Sequence, residues 1–308
     1  MTREKIWQQL LVAELKSRKS KRGRWLRSPI LYPFLMVYNY LLYPILRRGI
    51  FVKVDPFFEI PMQTLLPSGT DLLLNGIKSH DSEIRLAKFI TLQLNPDDVF
   101  IDVGAHYGYY TLLASSLIGH GRVFAIEASS TSFEFLRENT EEVSNVQLLH
   151  AAAGDQQGEI IFYEYPGPYA EYNTTVKDAY TEQPWLKKIR QKTVSVPVII
   201  LDDLIRNEKI EKAFIKIDVE GGEASVLRGL RHSLAEKELL IAMEYLASDK
   251  EVNPHAMAAD MMKEAGYRAH QIDPDGKLIP LDDIDHYLKE KKIGSDNVVF
   301  AKTLKILH

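Results

Sequence analysis

The segment VFIDVGAHYGYYTLLAS, Val99–Ser115, reads as a strand that stops at a glycine turn and runs straight into a helix. Apolar residues surround Asp102 in "VFIDV", Gly104 and Gly108 punctuate the turn, and "YYTLLAS" continues with helical spacing. Such a unit delivers a ligand to its turn, where the backbone is open and the helix presents free N–H groups. A dinucleotide site wants three glycines spaced G-x-G-x-x-G, so that the backbone can crowd a pyrophosphate. Here the order is D-x-G-x-x-x-G. One glycine is missing, and an acid stands where a phosphate would be repelled.

The elements around this turn alternate. "DSEIRLAKFITLQL" (residues 81–94) is predicted as a helix capped by Asp81 or Ser82, with Ile84, Leu86, Phe89, Ile90 and Leu94 largely on one side. "GRVFAIEA" (121–128) is the next strand, and "STSFEFLRENTEEV" is a helix with Ser129 or Ser130 at its N-cap. "NVQLLHAAAG" (145–154) is a third strand, and "GEIIFYEY" (158–165) follows so closely that it must be a hairpin-like addition. "AFIKIDVEG" (213–221), "ELLIAMEYL" and "DNVVFAKT" are further strands, separated by the helices "EASVLRGLRHSL" and "PHAMAADMMKEAG". This alternation predicts an α/β chain with a doubly wound parallel sheet.

A ligand with a cationic amino group and no phosphate suits the acid-bearing turn, and S-adenosylmethionine, itself a sulfonium, has that character. Glu127 ends the strand after the turn, 25 residues beyond Asp102, where a carboxylate accepts both hydroxyls of a ribose. Its alternative role is a helix N-terminal carboxylate at the sheet edge. In "FIKIDVEGGEASVLRGL", Lys216, Asp218 and Glu220 alternate with Ile215, Ile217 and Val219, so three charges share one strand face. Buried unpaired charges cost several kcal/mol each, so these must pair or face a cleft. Asp218 and Glu220 lie at the carboxyl end of the strand, where ligands bind in such sheets. Lys216 is open to a purely structural ion pair.

The order D-V-G-A-x-x-G-Y-Y-T, the later "VPVIILDDL" and above all "IKIDVEGGEASVLRG" resemble the FkbM family of S-adenosylmethionine-dependent methyltransferases, from about Asp98 to the C-terminus. The resemblance implies the class I methyltransferase fold, Rossmann-like, a mixed seven-stranded sheet with the last strand ("DNVVFAKT") antiparallel. It implies S-adenosylmethionine as cofactor, held by Asp102, Gly104, Ala105, His106, Gly108 and Glu127. Ala153 and Gly154 would lie near the adenine and Asp155 at its edge. It also implies O-methylation of a hydroxyl, often on a sugar. His106 stands where the family usually has Asn, and Ala128–Ser129 replaces a common Pro.

A hydroxyl is a weak nucleophile, and a base within hydrogen-bond reach contributes roughly 10²–10⁴ in rate. Asp218 and His106 are the candidate bases, with Glu220 and Glu244 as acids that orient the hydroxyl. No metal is assigned, although the same acids offer a set for a divalent cation. The stretch 166–192, with Tyr169, Tyr172, Tyr180 and Trp185, is the candidate acceptor surface. Competing readings are an oxidoreductase or epimerase on a related sheet, and a cofactor-binding membrane adaptor without turnover. The first requires a third glycine and a Tyr-x-x-x-Lys pair, which Tyr245 and Lys250 miss.

The 308 residues hold no cysteine, which excludes disulfides and thiolate chemistry. Residues 1–30 carry nine Lys/Arg against Glu4 and Glu14, a net of +7, so the remainder carries −11. An acidic main body argues against a nucleic acid partner. "WQQLLVAEL" places Trp7, Leu10, Leu11 and Leu15 on one helical face. Residues 30–46 are uncharged and tyrosine-studded, yet shorter than the ~20 residues a span needs, and they are interrupted by Pro33 and Pro44. The expectation is a helical extension, residues 1–75, whose first 50 residues bind an anionic membrane surface, and a catalytic domain, residues 76–308. The expected location is cytoplasmic, peripheral or monotopic at the inner face of a membrane, acting on a hydroxyl-bearing small molecule or lipid-linked glycan. Packing of residues 30–46 on the main domain is the competing reading.

Overall fold

The computed structural model describes residues 1–46, 49–176, 186, 189–247 and 253–302. Among these the strands are β1 (Ile50–Val54), β2 (Met62–Leu66), β3 (Val99–Val103), β4 (Arg122–Glu127), β5 (Val146–His150), β6 (Ala152–Ala153), β7 (Gly158–Glu164), β8 (Lys192–Ile199), β9 (Lys212–Ile217), β10 (Glu238–Leu246), β11 (Arg268–Ile272), β12 (Leu278–Leu281) and β13 (Ser295–Ala301). The helices before the first motif are α1 (Arg3–Ser17), α2 (Lys21–Arg27), α3 (Leu31–Val37), α4 (Tyr43–Leu46), α5 (Thr70–Asn75) and α6 (Asp81–Gln93). Those after it are α7 (Tyr109–Leu117), α8 (Ser130–Thr140), α9 (Leu201–Asn207), α10 (Glu223–Arg228), α11 (Arg231–Glu236), α12 (Pro254–Glu264) and α13 (Ile284–Lys291).

The central sheet runs β12-β11-β13-β10-β9-β3-β4-β5. Strands β5, β4, β3, β9 and β10 are mutually parallel, and β13 lies antiparallel between β10 and β11. The expected mixed sheet with an antiparallel last strand is therefore present. It has eight strands rather than seven, because β12 adds to the β11 edge. Chain order reverses between β3 and β9, which opens a crevice beyond their carboxyl ends.

Both sheet faces are buried, and successive residues show it: Phe100 and Phe214 pack into one core layer, Ile101 and Ile215 into the other. Helix α1 belongs to the first layer, through Ile6, Leu10 and Ala13 alongside Phe57, Phe89 and Leu112. The core thus runs across residue 75 without a break. The buried stripe of α1 is not the expected one, since Leu15 is exposed and Ile6, Ala13 and Ser17 turn inward.

Other boundaries differ from the sequence reading. Strand 145–154 divides into β5 and β6. The added strand β7 pairs with β8, in a separate sheet of order β6-β8-β7, so its partner lies far along the chain. Helix α6 starts from His80 with no side-chain cap, whereas Ser129 caps α8 as expected by accepting the Ser132 N–H at 3.2 Å. Strand β9 ends at Ile217, so only Lys216 of the three alternating charges is a strand residue.

Candidate active site

The turn after β3 is fixed by its own backbone. The N–H groups of Gly104 and Ala105 both donate to the Ile126 carbonyl, at 2.9 and 3.0 Å, binding the turn to β4. Gly104 has φ +80°, and a Cβ there would run into the Asp218 carbonyl. Only glycine serves at this close approach. His106 follows at φ +52°, a conformation that Asn tolerates better than His. Its strain is offset by the N–H bond it donates to Glu127 Oε2 at 2.7 Å. Glu127 Oε1 accepts the Ser129 N–H at 2.8 Å. Burial pushes the Glu127 carboxyl up to about 7, against the pull of these two N–H groups.

Across the strand pair, Lys216 stands directly opposite Asp102 in the parallel register of β3 and β9. Both are buried, with Nζ 3.6 Å from Asp102 Oδ1 and 3.1 Å from Asp218 Oδ2. Burial opposes the Lys216 charge, but Asp218 and Asp102 outweigh it and hold the ammonium above its usual value. Asp102 also accepts the Thr111 hydroxyl at 2.7 Å. Burial raises the Asp218 carboxyl, yet Lys216 and then Lys78 overcome it and leave the group below its usual value.

Past the end of β9 the chain turns through Glu220 and Gly221, at φ +53° and +94°. Thr174 Oγ1 donates to the Glu220 carbonyl at 2.8 Å and anchors that turn to the residue 173–176 segment. Asp218, Glu220 and Glu244 bring carboxylate oxygens within 4.8 Å of one another, a spacing that can hold a divalent cation. Burial, then the Asp218 charge, pushes the Glu244 carboxyl up to about 7. Burial, then Lys78, drives the His106 imidazole down to about 3, so it is neutral at working pH, with a buried Nε2 that lacks a hydrogen-bond partner.

These groups border one cavity of about 390 Å³, within the range of small-molecule sites. Gly104, Ala105, His106, Glu127, Ala153, Asp218 and Glu220 line it. Asp102, Gly108 and Glu244 stand behind its wall: Asp102 under Lys216, Gly108 at the start of α7, and Glu244 beside Asp218. Gly154 and Asp155 follow the lining residue Ala153 without lining the cavity themselves. The Gly154 N–H is bound to the Ile199 carbonyl at 3.0 Å, and Asp155 is engaged by Ser225 at 2.9 Å and Arg228 at 2.7 Å. Asp155 is thus tied to the wall through Ser225, which lines the cavity, and each of its carboxylate oxygens keeps a lone pair. Of the aromatic stretch 166–192, Ala170 and Asn173 reach the cavity and Tyr169 packs on Tyr43, while Tyr180 and Trp185 lie outside the described residues.

The sequence reading missed the opposite wall. Thr64, Ser68, Asp71, Lys78 and Glu83, from β2 through α6, face the glycine turn across the cavity. Lys78 Nζ is 2.7 Å from Glu83 Oε2 and lies over the Tyr109 and Tyr110 rings at 5.6 and 5.2 Å. No spacing in residues 62–83 marks them as functional; only their nearness to the turn does.

S-adenosylmethionine needs a carboxylate for its ribose diol, an uncrowded backbone turn for its amino-acid part and an apolar wall for its base. Glu127 retains a lone pair on each oxygen after its two N–H bonds, Gly104 and Ala105 form an open turn, and Ile126, Ile160 and Phe162 line the same cavity. The residues fit that group.

A model of the "Methyltransferase FkbM domain" matches residues 102–269, more than half of the chain. The chain is similar to Methyltransferase 1 of Beauveria bassiana, 30% identical over 161 residues, covering 48% of this chain and 65% of that protein. It is also similar to the hexuronic acid methyltransferase AglP of Haloferax volcanii, 25% identical over 170 residues, covering 54% and 63%. The chain thus spans a little less than two thirds of either relative. Among solved structures, a precorrin-6y C5,15-methyltransferase of Geobacter metallireducens superposes with a TM-score of 0.37 and 17% identity, over 71% of this chain and 87% of that one.

Proposed function

The chain belongs to the FkbM-domain methyltransferases, which use S-adenosylmethionine, and from that premise we propose that it methylates a hydroxyl oxygen on a sugar. One observation carries the reading. Asp218 lines the cavity beside the glycine turn, in the same cavity as Glu127, with its charge held by Lys216 at 3.1 Å. The cofactor, when bound, supplies an electrophilic methyl group on a positively charged sulfur.

The chain's own residues do the rest. Glu127, Gly104 and Ala105 hold the cofactor, while Lys216 and Asp102 brace the floor under the turn. Asp218 Oδ would receive the hydroxyl proton as the acceptor oxygen takes the methyl group, whose bond to sulfur breaks with its electron pair left on a neutral thioether. Glu244, poised near neutrality behind Asp218, takes that proton on. Neutral His106 offers its unpartnered Nε2 to the acceptor. Asp218 is preferred over His106 as the base on placement, because it stands beside Lys216 and Glu244 past the end of β9, whereas His106 lies within the turn that holds the cofactor. The sugar acceptor draws support from the hexuronic acid named for the Haloferax relative. Against the oxidoreductase or epimerase alternative, Tyr245 is buried with its hydroxyl 3.0 Å from Asp285, and Lys250 lies outside the described residues.

We further propose that the acceptor is lipid-linked and that the protein works at an anionic, cytoplasm-facing membrane surface. Helices α3 and α4, joined by a π-helical turn over Tyr38–Leu42, bury Leu35, Tyr38 and Tyr43 against Leu66. The other face exposes Ile30 at 85%, Tyr40 at 78% and Ile45 at 73%, together with Phe34, Val37 and Leu41. Exposed Lys16, Lys19, Lys21 and Arg22 flank it. An apolar face rimmed by cations suits the headgroup boundary. Among the described residues, no helix is long and apolar enough to cross a membrane.

The test is methyl transfer from labelled S-adenosylmethionine to glycolipid and polysaccharide extracts, with product mass read by spectrometry. An added methyl on a sugar oxygen, lost in Asp218→Asn, is the expected result; transfer to nitrogen or carbon overturns the reading.

A further inference from the structure

The cavity that holds the reaction is acidic, and both of its lysines are already engaged. Asp71, Glu83, Glu127, Asp218 and Glu220 line it, against Lys78 and Lys216. Asp102 stands directly behind the wall, under Lys216. Lys216 is held between Asp218 and Asp102, at 3.1 and 3.6 Å. Lys78 is held by Glu83 at 2.7 Å. No arginine lines the cavity among the described residues. Proteins recognise carboxylates with free cations, most often the forked guanidinium of arginine, and among the described residues this cavity offers no unpaired lysine or arginine.

Neutral hydroxyls meet the opposite situation. Each O–H is a donor, and the ionised oxygens of the cavity acids are acceptors without a proton of their own. Ser68 and Thr64 add hydroxyls on the same wall. A charged sugar would bring a carboxylate into a confined space already rich in like charge, where repulsion is screened little by solvent.

We propose that the acceptor is a neutral polyol, a hexose-type sugar without a carboxylate, and that the Lys78–Glu83 pair sets this choice by keeping the one cation on the acceptor wall neutralised. This rests on the sugar-hydroxyl reading. Both residues precede the matched domain, so the determinant belongs to a part of this chain that the shared cofactor-binding core does not supply. Glu83 is a specificity residue here: with its charge removed, Lys78 is released toward whatever enters.

The full-length protein is given labelled S-adenosylmethionine and paired simple acceptors, the methyl glycosides of glucose, galactose and mannose beside their C6-oxidised uronic acid counterparts. The expected result is transfer to at least one neutral glycoside, with kcat/KM for its uronate partner lower by about tenfold or more. Glu83→Gln, with cofactor binding unchanged as the check of folding, should narrow that gap by about tenfold by freeing Lys78. A uronate used as well as or better than its neutral partner by the wild-type protein overturns the proposal, whatever the variant does. A gap unchanged in folded Glu83→Gln overturns the role given to the pair. Transfer to neither member of any pair overturns the underlying sugar reading, and this inference with it.

Discussion

The Glu127 carboxylate accepts the backbone N–H of His106 at 2.7 Å, so the acid that ends β4 also props the turn that follows β3. A cofactor contact and a structural brace coincide in one side chain. With no ligand, burial holds that carboxyl at about 7.

Ribose hydroxyls donate to the ionised form of Glu127, so cofactor binding should release a proton near neutrality. The sign follows: affinity rises with pH through about 7 and then levels. Below the break the slope approaches tenfold per pH unit at most, by linkage. Glu127→Gln should abolish the slope and weaken binding by about ten- to a hundredfold, the loss of ~1.5–3 kcal/mol of charged hydrogen bonding. Glu127→Ala should do worse, because the His106 N–H then loses its partner as well. Titration calorimetry across pH decides it, and a pH-independent wild-type affinity would remove Glu127 from the site.

Asp218→Asn keeps shape while removing the proton acceptor. Turnover should fall by roughly 10²–10⁴ with the melting temperature little changed, since Asp102 still partners Lys216. Retention of activity within about tenfold would sink the assignment of Asp218 as base. Chelation offers a separate arm. Activity that survives a chelator leaves proton transfer to the carboxylates, whereas loss that magnesium restores would mean that Asp218, Glu220 and Glu244 hold a cation.

Lys216 should prove more important to stability than any other charge in the floor. Lys216→Met strands Asp102 with no cation in a buried position, and breaking such a pair costs about 3–5 kcal/mol. Adding Asp102→Asn should recover much of the loss. Urea unfolding of the two variants measures this, and a single variant as stable as the parent would show that the pair contributes nothing.

The parts of this molecule legible in sequence are those where one local pattern has one physical solution. Gly104, Glu127 and Asp218 fall in that group, because strand ends, a missing third glycine and an acid at the next strand end together specify a crevice and its ligand. Lys216 was legible as a charge that must be paired, though its partner Asp102 emerged only from strand register. The partners of Asp155, Ser225 and Arg228, lie about seventy residues along the chain and emerge only from the fold. Lys78 and Glu83 were invisible, since a short Lys–Glu spacing is common on solvated helices and only the fold closes it over a cavity. Strand β7 differs for a related reason, its partner β8 being separated by residues 165–191, far too many for a hairpin loop to be read from sequence.

The N-terminal helices yield the last prediction, and their packing dictates how it must be tested. Deleting residues 1–50 would strip Ile6, Leu10 and Ala13 from the main core, so a truncated protein that misbehaves would report lost packing. Substituting the exposed face alone separates the two roles. Ile30, Val37, Leu41 and Ile45 are exposed where Tyr32, Leu35 and Tyr38 are buried, and replacing those four with serine leaves the buried side intact. Wild-type protein should float with vesicles rich in anionic lipid, and binding should weaken as salt rises, because each basic residue near the surface contributes ~1 kcal/mol that ions screen. The fourfold variant should stay with the soluble fraction while its cofactor affinity and melting temperature remain close to the parent's. It should then lose transfer to vesicle-embedded acceptor but keep it toward a detached sugar. Wild-type protein that fails to float at low salt removes the membrane, and the exposed apolar face is then left to protein contact.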